Sequence, residues 1–326
     1  MGVELQREKW VGRVTPVTLG ATAAEGGTRG HTITVGGETT LPFLHFEGQM
    51  PHAPVTALEI WDMPPADWPP LLLDAFGDAV QDPVSWAKKC VDEYGARLLC
   101  LRLASTAPDG QNAPPEAAAD TVRAVLKAVD VPLIVLGCGD FDKDNQVFPK
   151  VSDAAAGERV AIGIAEQNNY KSLVASCMMN NHVILSQAPI DINIQKQMNI
   201  LITEMGMPPE RILMDPTTGG LGYGLEYCYS IMERIRLGAL QGDKMLAMPL
   251  IVFPGQESWR FKEAKEPESA APQWGEQYTR AISWELTTAV ALLQAGADVL
   301  VFRHPEARRQ TERYIEAMMA PAGVEA

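Results

Sequence analysis

Residues 182–215, HVILSQAPIDINIQKQMNILITEMGMPPERILMD, decide the fold. The apolar run HVILSQ (182–187) is too short for a helix and has no polar face, as a strand buried on both sides of a parallel sheet requires. In 191–205, Ile194, Met198, Leu201, Ile202 and Met205 recur at three- and four-residue steps, and Gly206 then Pro208 stop the pattern, which predicts an amphipathic helix. RILMD (211–215) then repeats the first run. The unit is strand, crossover helix, strand.

The same rhythm extends in both directions. Counting VTALEIW (55–61), RLLCLRL (97–103), VPLIVL (131–136), VAIGIA (160–165), MPLIVF (248–253) and DVLVF (298–302) with the two above gives eight runs. Helical patterns separate them, for example Leu225, Cys228, Met232, Ile235 and Ala239, or Ile282, Leu286, Val290 and Leu293. Met178, Met179 and Met198 read as core filler. Eight strand–helix units without a composition break predict a (β/α)8 TIM barrel, an α/β fold, over an open doubly wound sheet. Ahead of it, WVGRVTPVTLG and HTITVGG flank the turn-rich AEGGTRG, an N-terminal β-hairpin extension. The expected division is 1–50 for the extension and 51–326 for the barrel.

The 326 residues carry 27 basic and 41 acidic side chains, a formal charge of −14, which disfavours binding to a nucleic-acid backbone. No run reaches the length of a membrane helix, and MGVELQREKW has no apolar signal core, so a cytoplasmic protein is expected. Five scattered cysteines without a C-x-x-C pair form neither a disulfide framework nor a cluster cradle. The histidines lack metal-ligand spacing, and no G-x-S-x-G elbow or Walker lysine is present.

In a barrel, chemistry sits after the C-terminal strand ends. The candidates there are Asp62; Gly137, Gly139 and Asp140; Glu166 and Asn168; Asp191 and Asn193; and DPTTGGLGYG (215–224), with Asp215, Thr217, Gly219, Gly220, Gly222 and Tyr223. Four glycines in six positions let a backbone approach a bulky ligand, or simply relieve a tight strand-to-helix connection. Asp191 doubles as a helix cap and Asp215 as a turn former before Pro216. Replacing Gly220 or Gly222 by a β-branched residue should spare the fold, provided neither needs positive φ. Trp61, Trp68, Trp259 and Trp274 lie in loops, either as partner anchors or packed beneath them. The long insertion 254–277 falls on the functional face.

Five stretches carry a family resemblance: LGATAAEGGTRGHTITVGGETTLPFLHFEG (19–48), VPLIVLGCGDFDKD (131–144), AEQNNYKSL (165–173), PIDINIQKQMNIL (189–201) and DPTTGGLGYGLEYCYSIMERIRLGALQGDKMLAMP (215–249). The chain resembles the small subunit of the corrinoid iron-sulfur protein, related to the delta subunit of the archaeal acetyl-CoA decarbonylase/synthase complex. The resemblance implies a non-catalytic TIM barrel in an obligate heterodimer with a large subunit. The two would enclose one cobamide (corrinoid, cobalt), and the large subunit alone would hold a [4Fe-4S] cluster. The implied role is methyl transfer in the reductive acetyl-CoA (Wood-Ljungdahl) pathway of carbon fixation, from methyltetrahydrofolate on its methyltransferase to acetyl-CoA synthase. The competing reading is a pterin-dependent methyltransferase barrel, with Asp62, Asp140, Asp191 and Asn193 around the pterin.

Overall fold

The computed structural model describes residues 6–320. The first five and last six residues of the two ranges drawn above lie outside the described residues. Two short strands, β1 (Val17–Leu19) and β2 (Ile33–Val35), pair antiparallel, with the Thr18 and Thr34 hydroxyls 2.9 Å apart. Eight parallel strands then close into a barrel: β3 (Val55–Trp61), β4 (Leu99–Arg102), β5 (Leu133–Leu136), β6 (Ala161–Ala165), β7 (Val183–Gln187), β8 (Ile212–Asp215), β9 (Leu250–Val252) and β10 (Ala297–Phe302). β10 meets β3 with Val299 opposite Val55, which removes both sheet edges. Seven of the apolar runs contain one of these strands, and β10 begins one residue before the eighth.

The connections are helical. Between β3 and β4 lie α1 (Pro70–Asp74) and α2 (Pro83–Asp92), followed in turn by α3 (Pro115–Ala128), α4 (Phe141–Ala154), α5 (Tyr170–Met179), α6 (Ile192–Glu204) and α7 (Leu225–Leu240). After β9 come the short α8 (Pro254–Ser258) and α9 (Lys262–Lys265), then α10 (Gln277–Gln294), and α11 (Pro305–Met319) follows β10. Among the described residues no helix is long and apolar enough to cross a membrane.

Strand alternation sorts the core into two bodies. Leu58, Ile60, Leu99, Leu101, Val135 and Met214 face outward beneath the helices, whereas Leu98, Cys100, Ile134, Leu185, Leu213 and Val301 fill the barrel. The hairpin joins the second body: Val17, Leu19, Ile33 and Val35 belong to the interior cluster and floor the barrel at the N-terminal strand ends. Arg29, 3% exposed, fastens the hairpin turn there. Its Nε donates to Glu158 at 2.7 Å, and its Nη1 and Nη2 donate to the Val129, Val131 and Leu126 carbonyls. Behind the hairpin, buried Arg236 joins Glu38 to Asp298 of β10.

The methionine expectation is corrected in part. Met198 is buried, but Met178 and Met179 are 41% and 77% exposed. They occupy the last turn of α5, which runs past the edge of the barrel layer, so helical spacing there faces solvent. On α6, Met198 and Ile202 form the buried stripe while Ile194 and Met205 are exposed.

Candidate functional site

The mouth is built from side chains that point inward at the C-terminal strand ends. Glu59 of β3 is fully buried. Its Oε1 accepts from Arg102 Nε of β4 at 2.7 Å and from Trp61 Nε1 at 2.9 Å, and its Oε2 accepts from Arg303 Nε, just past β10, at 2.8 Å. Burial by itself would raise the Glu59 carboxyl, but the two guanidiniums prevail and bring it down to about 2. Arg102 Nη2 also donates to Gln256 of α8 at 2.6 Å, and the Arg303 guanidinium lies 5.0 Å from the Trp68 ring centre. The result is a locked layer, one carboxylate between two guanidiniums with indoles against it.

Across the mouth, Asp215 of β8 accepts from Gln187 Nε2 at 2.5 Å and from the Thr217 amide at 2.9 Å. Burial pushes its carboxyl up to about 7, against both hydrogen bonds. A third carboxylate, Asp144, turns back from α4 to accept from the Cys138 and Gly139 amides at 3.0 and 3.1 Å, filling the space beside Gly137. Burial raises it too. What remains open between these groups is a cavity of about 100 Å³ lined by Arg102, Gly137, Gly139, Asp144, Glu166 and Gln187.

Of the residues named from sequence, Gly137, Gly139 and Glu166 therefore meet in one cavity, and Asp215 touches its wall through Gln187. Asp140 and Asp191 act as helix caps: Asp140 accepts from the Lys143 amide at 2.8 Å at the start of α4, and Asp191 from the Asn193 and Ile194 amides at 2.7 and 3.1 Å at the start of α6. Asn168 and Asn193 stand exposed at the rim. The neighbouring Asn169 does the structural work of its loop, bonding the Glu166 amide and the Ile164 carbonyl. Asp62 accepts from the Ser105 amide and hydroxyl.

Loop 217–224 leans away from that cavity. Thr217 bonds the Ala188 carbonyl, and the remainder folds on itself, with the Gly220 carbonyl accepting from the Tyr223 and Leu225 amides. The Tyr223 ring stacks on Phe261 at 3.8 Å, and its hydroxyl bonds Glu263 at 3.0 Å. Gly219 is packed so closely that a Cβ there would stand 2.3 Å from the Gly224 carbonyl oxygen. The expectation that glycine replacement would spare the fold carries a proviso against positive φ, and that proviso is not met. Gly222 has φ +75°, and a Cβ on Gly220 would stand 2.7 Å from the Phe261 ring. Trp61 is the last residue of β3 and not a loop residue; Trp68 and Trp259 are buried, and Trp274 packs against Lys262 and Arg280, so these three aromatics pack beneath their own loops.

The site residues Glu59, Arg102 and Gln187 lie inside the apolar runs, where a search beginning after each run passes over them, whereas Gln256 and Arg303 follow their runs and were within its reach. The signal was present: a lone charge inside VTALEIW and another near the end of RLLCLRL, each two positions from an inward apolar residue.

The raised Asp215 carboxyl has a direct consequence for pH dependence. A carboxyl whose folded pKa lies above its unfolded value binds more protons in the native state, so its contribution to stability falls as pH rises from about 4 to about 7. Asp215→Asn should remove that decline, so the melting-temperature difference between variant and wild type should move in the variant's favour across this window. A difference that stays constant with pH would show that the Asp215 carboxyl titrates alike in the folded and unfolded chain.

The chain matches the family model described as CO dehydrogenase/acetyl-CoA synthase delta subunit over residues 16–310. It is 38% identical over 308 residues to the acetyl-CoA decarbonylase/synthase complex subunit delta of Methanopyrus kandleri, covering 94% of this chain and 76% of that protein. To the subunit delta of Archaeoglobus fulgidus it is 36% identical over 315 residues, covering 93% and 68%. Among solved structures, dihydropteroate synthase from Xanthomonas albilineans with 4-aminobenzoic acid aligns with a TM-score of 0.57 at 15% identity, covering 84% of this chain and 96% of that one. The dihydropteroate synthase from Thermus thermophilus aligns at 0.52 and 14%, covering 85% and 99%. Those likenesses establish the barrel. The family match and the archaeal relatives go further: the chain belongs to the CO dehydrogenase/acetyl-CoA synthase delta subunit family.

Proposed function

We propose that this chain is the barrel subunit of a methyl-carrying corrinoid protein, a non-catalytic component whose mouth covers one face of a cobamide held jointly with a larger subunit. The observation that carries this reading is the filled mouth. Pockets that engulf a small-molecule substrate measure roughly 300–1,000 Å³. Here Glu59, Arg102, Arg303, Gln187 and Asp215 satisfy one another and leave about 100 Å³. A pterin-dependent methyltransferase would need that space open, so the filled mouth counts against the competing reading.

The residues present fit the periphery of a corrinoid. Its rim bears amide arms, and the cavity offers a guanidinium (Arg102), a carboxamide (Gln187) and the approach beside Gly139, where nothing lies within 4 Å of a Cβ position. Among the described residues no group of three or more His, Cys, Asp and Glu side chains could hold a metal ion. When bound, the cobamide supplies a nucleophilic cobalt that accepts and passes on the methyl group. This chain's part is to orient and exclude water: Glu59 fixes Arg102 from beneath, Asp215 fixes Gln187, and the indoles of Trp61 and Trp68 back Arg303. The larger subunit would carry the [4Fe-4S] cluster. The methyl donor side would be a methyltetrahydrofolate methyltransferase and the acceptor side an acetyl-CoA synthase, both reached from the mouth.

The test compares the chain alone with the chain co-produced with its larger partner. Alone it should carry neither iron nor corrinoid; together they should retain the cobamide absorbance. Four irons per isolated chain, or tight saturable binding of methyltetrahydrofolate by it, would overturn the proposal. Because Asn168 is exposed at the rim and makes no side-chain bond among the described residues, Asn168→Trp should lower cobamide occupancy of the heterodimer and leave its melting temperature unchanged. Full occupancy in that variant would remove this edge of the mouth from the cofactor face.

A further inference from the structure

A second cleft, of about 750 Å³, opens outside the mouth between α1, the end of α2 and the first turns of α10 and α11. At its back stands His304, only 4% exposed. Its Nδ1 accepts the Glu306 amide at 3.1 Å as the cap of α11. A neutral imidazole that accepts at Nδ1 must carry its proton on Nε2. Trp259 stacks on one face of the ring at 6.0 Å and Tyr278 meets it edge-on at 5.7 Å. Among the described residues Nε2 makes no hydrogen bond, so on this residue, which lines the cleft, an oriented N–H donor is left without a protein acceptor. Burial brings the imidazole down to about 4, which keeps it neutral at physiological pH.

The rest of the cleft restricts what that donor can meet. Pro70, Leu71 and Pro305 give it apolar walls. Arg309 is held by Glu306 through two contacts of 2.5 and 2.7 Å, so its charge is already matched. Asp74 has no ion-pair partner among the described residues, and Glu93 has only exposed Lys89 at 3.5 Å. A donor at the back, apolar walls and carboxylates at the rim complement a main-chain carbonyl, an aliphatic stem and a cationic end.

We infer that this cleft is a docking site for a basic segment of a partner protein, with a main-chain carbonyl of the segment accepting from His304 Nε2 and its Arg or Lys side chain running along Leu71 and Pro305 to Asp74 and Glu93. The chain's net charge of −14 steers such a segment inward and repels an acidic one. The inference is independent of the cobamide reading, because none of these residues lines the mouth cavity.

Nitrogen-detected imidazole NMR of the full chain, whose five histidines can be resolved, provides the test. The expected spectrum shows His304 as the Nε2–H tautomer. Titration with N-acetyl-arginine amide should move the His304 signals saturably, and N-acetyl-glutamine amide, with the same carbonyls and no charge, should bind about tenfold more weakly. The double variant Asp74→Asn, Glu93→Gln, at rim positions outside the core, should abolish that preference while leaving the melting temperature unchanged. His304→Phe, which keeps the ring packing, should lose binding of both probes. An Nδ1–H tautomer, equal affinity for both probes, preference for N-acetyl-glutamate amide, or tighter binding of adenine, which would mark a small-molecule site, would each overturn the inference. Should His304→Phe fail to fold, the rim variant and the wild-type titration still decide it.

Discussion

Replacing Glu59 by alanine is expected to destabilise the barrel by about 3–5 kcal/mol, because it strands two buried guanidiniums that share one carboxylate. For a chain of this size that corresponds to a melting-temperature loss on the order of 10 °C. Arg102 and Arg303 are deep enough that solvent cannot take the place of the carboxylate, with side chains 17% and 5% exposed. Glu59→Gln should fall in between, since it keeps an acceptor and loses the charge. The pH dependence follows from the same contacts. A carboxyl depressed to about 2 contributes stability that is fully present above the ordinary carboxylate range and is lost as pH falls from about 4.5 through 2. The acid limb of the wild-type stability curve should therefore be steeper there than that of Glu59→Gln. Replacing all three residues by apolar side chains of similar volume should restore most of the stability. A single Glu59→Ala variant that melts with wild type would mean that the layer contributes nothing to folding.

The second large effect is expected at Arg29. Alanine there removes the ion pair to Glu158 and leaves the Leu126, Val129 and Val131 carbonyls without their donor, a loss of about 3 kcal/mol or more. Lysine should recover only part of this, because one ammonium cannot reproduce a planar fork that bonds Glu158 and three carbonyls at once. The damage should begin locally. Amide exchange in β1 and β2 should accelerate first, before the outer strand faces under the helices, because those two strands depend on the clamp for their seat on the barrel interior. Uniform acceleration over the whole barrel, or none, would contradict the role given to the clamp.

The barrel was legible in the sequence because its evidence is periodic. Each strand must be apolar on both faces, so RILMD or VPLIVL announces itself within a few residues, and helix stops such as Gly206 with Pro208 mark the intervals. The floor was legible as a hairpin but not as a floor, since nothing in the alternation of HTITVGG says which surface Ile33 and Val35 will cover. The site was legible only in part. Asp140 and Asp191 carry the side chain of a ligand and the position of a helix cap, and local hydrogen bonding decided for the cap. Glu59 and Arg102 lie on β3 and β4 and Arg303 just past β10, three strands whose pairing is set by closure, as β10 joins β3 across more than two hundred residues of sequence. The glycines of 219–224 pointed to close packing correctly, but the packing partners turned out to be Phe261 and the loop's own carbonyls.

The hairpin floor also bears on how the chain is made. It precedes every barrel strand in the chain, yet the cluster it seals includes Val299 and Val301 of the last strand. At synthesis rates of roughly 5–20 residues per second, the interval between the two is on the order of tens of seconds. Throughout that time the nascent barrel is an open sheet with two unpaired edges and an uncovered apolar interior. The finished protein conceals its aggregation risk, which belongs to its synthesis: slower elongation upstream of residue 297 lengthens the exposed period, and chaperone demand should be set by the last strand to arrive.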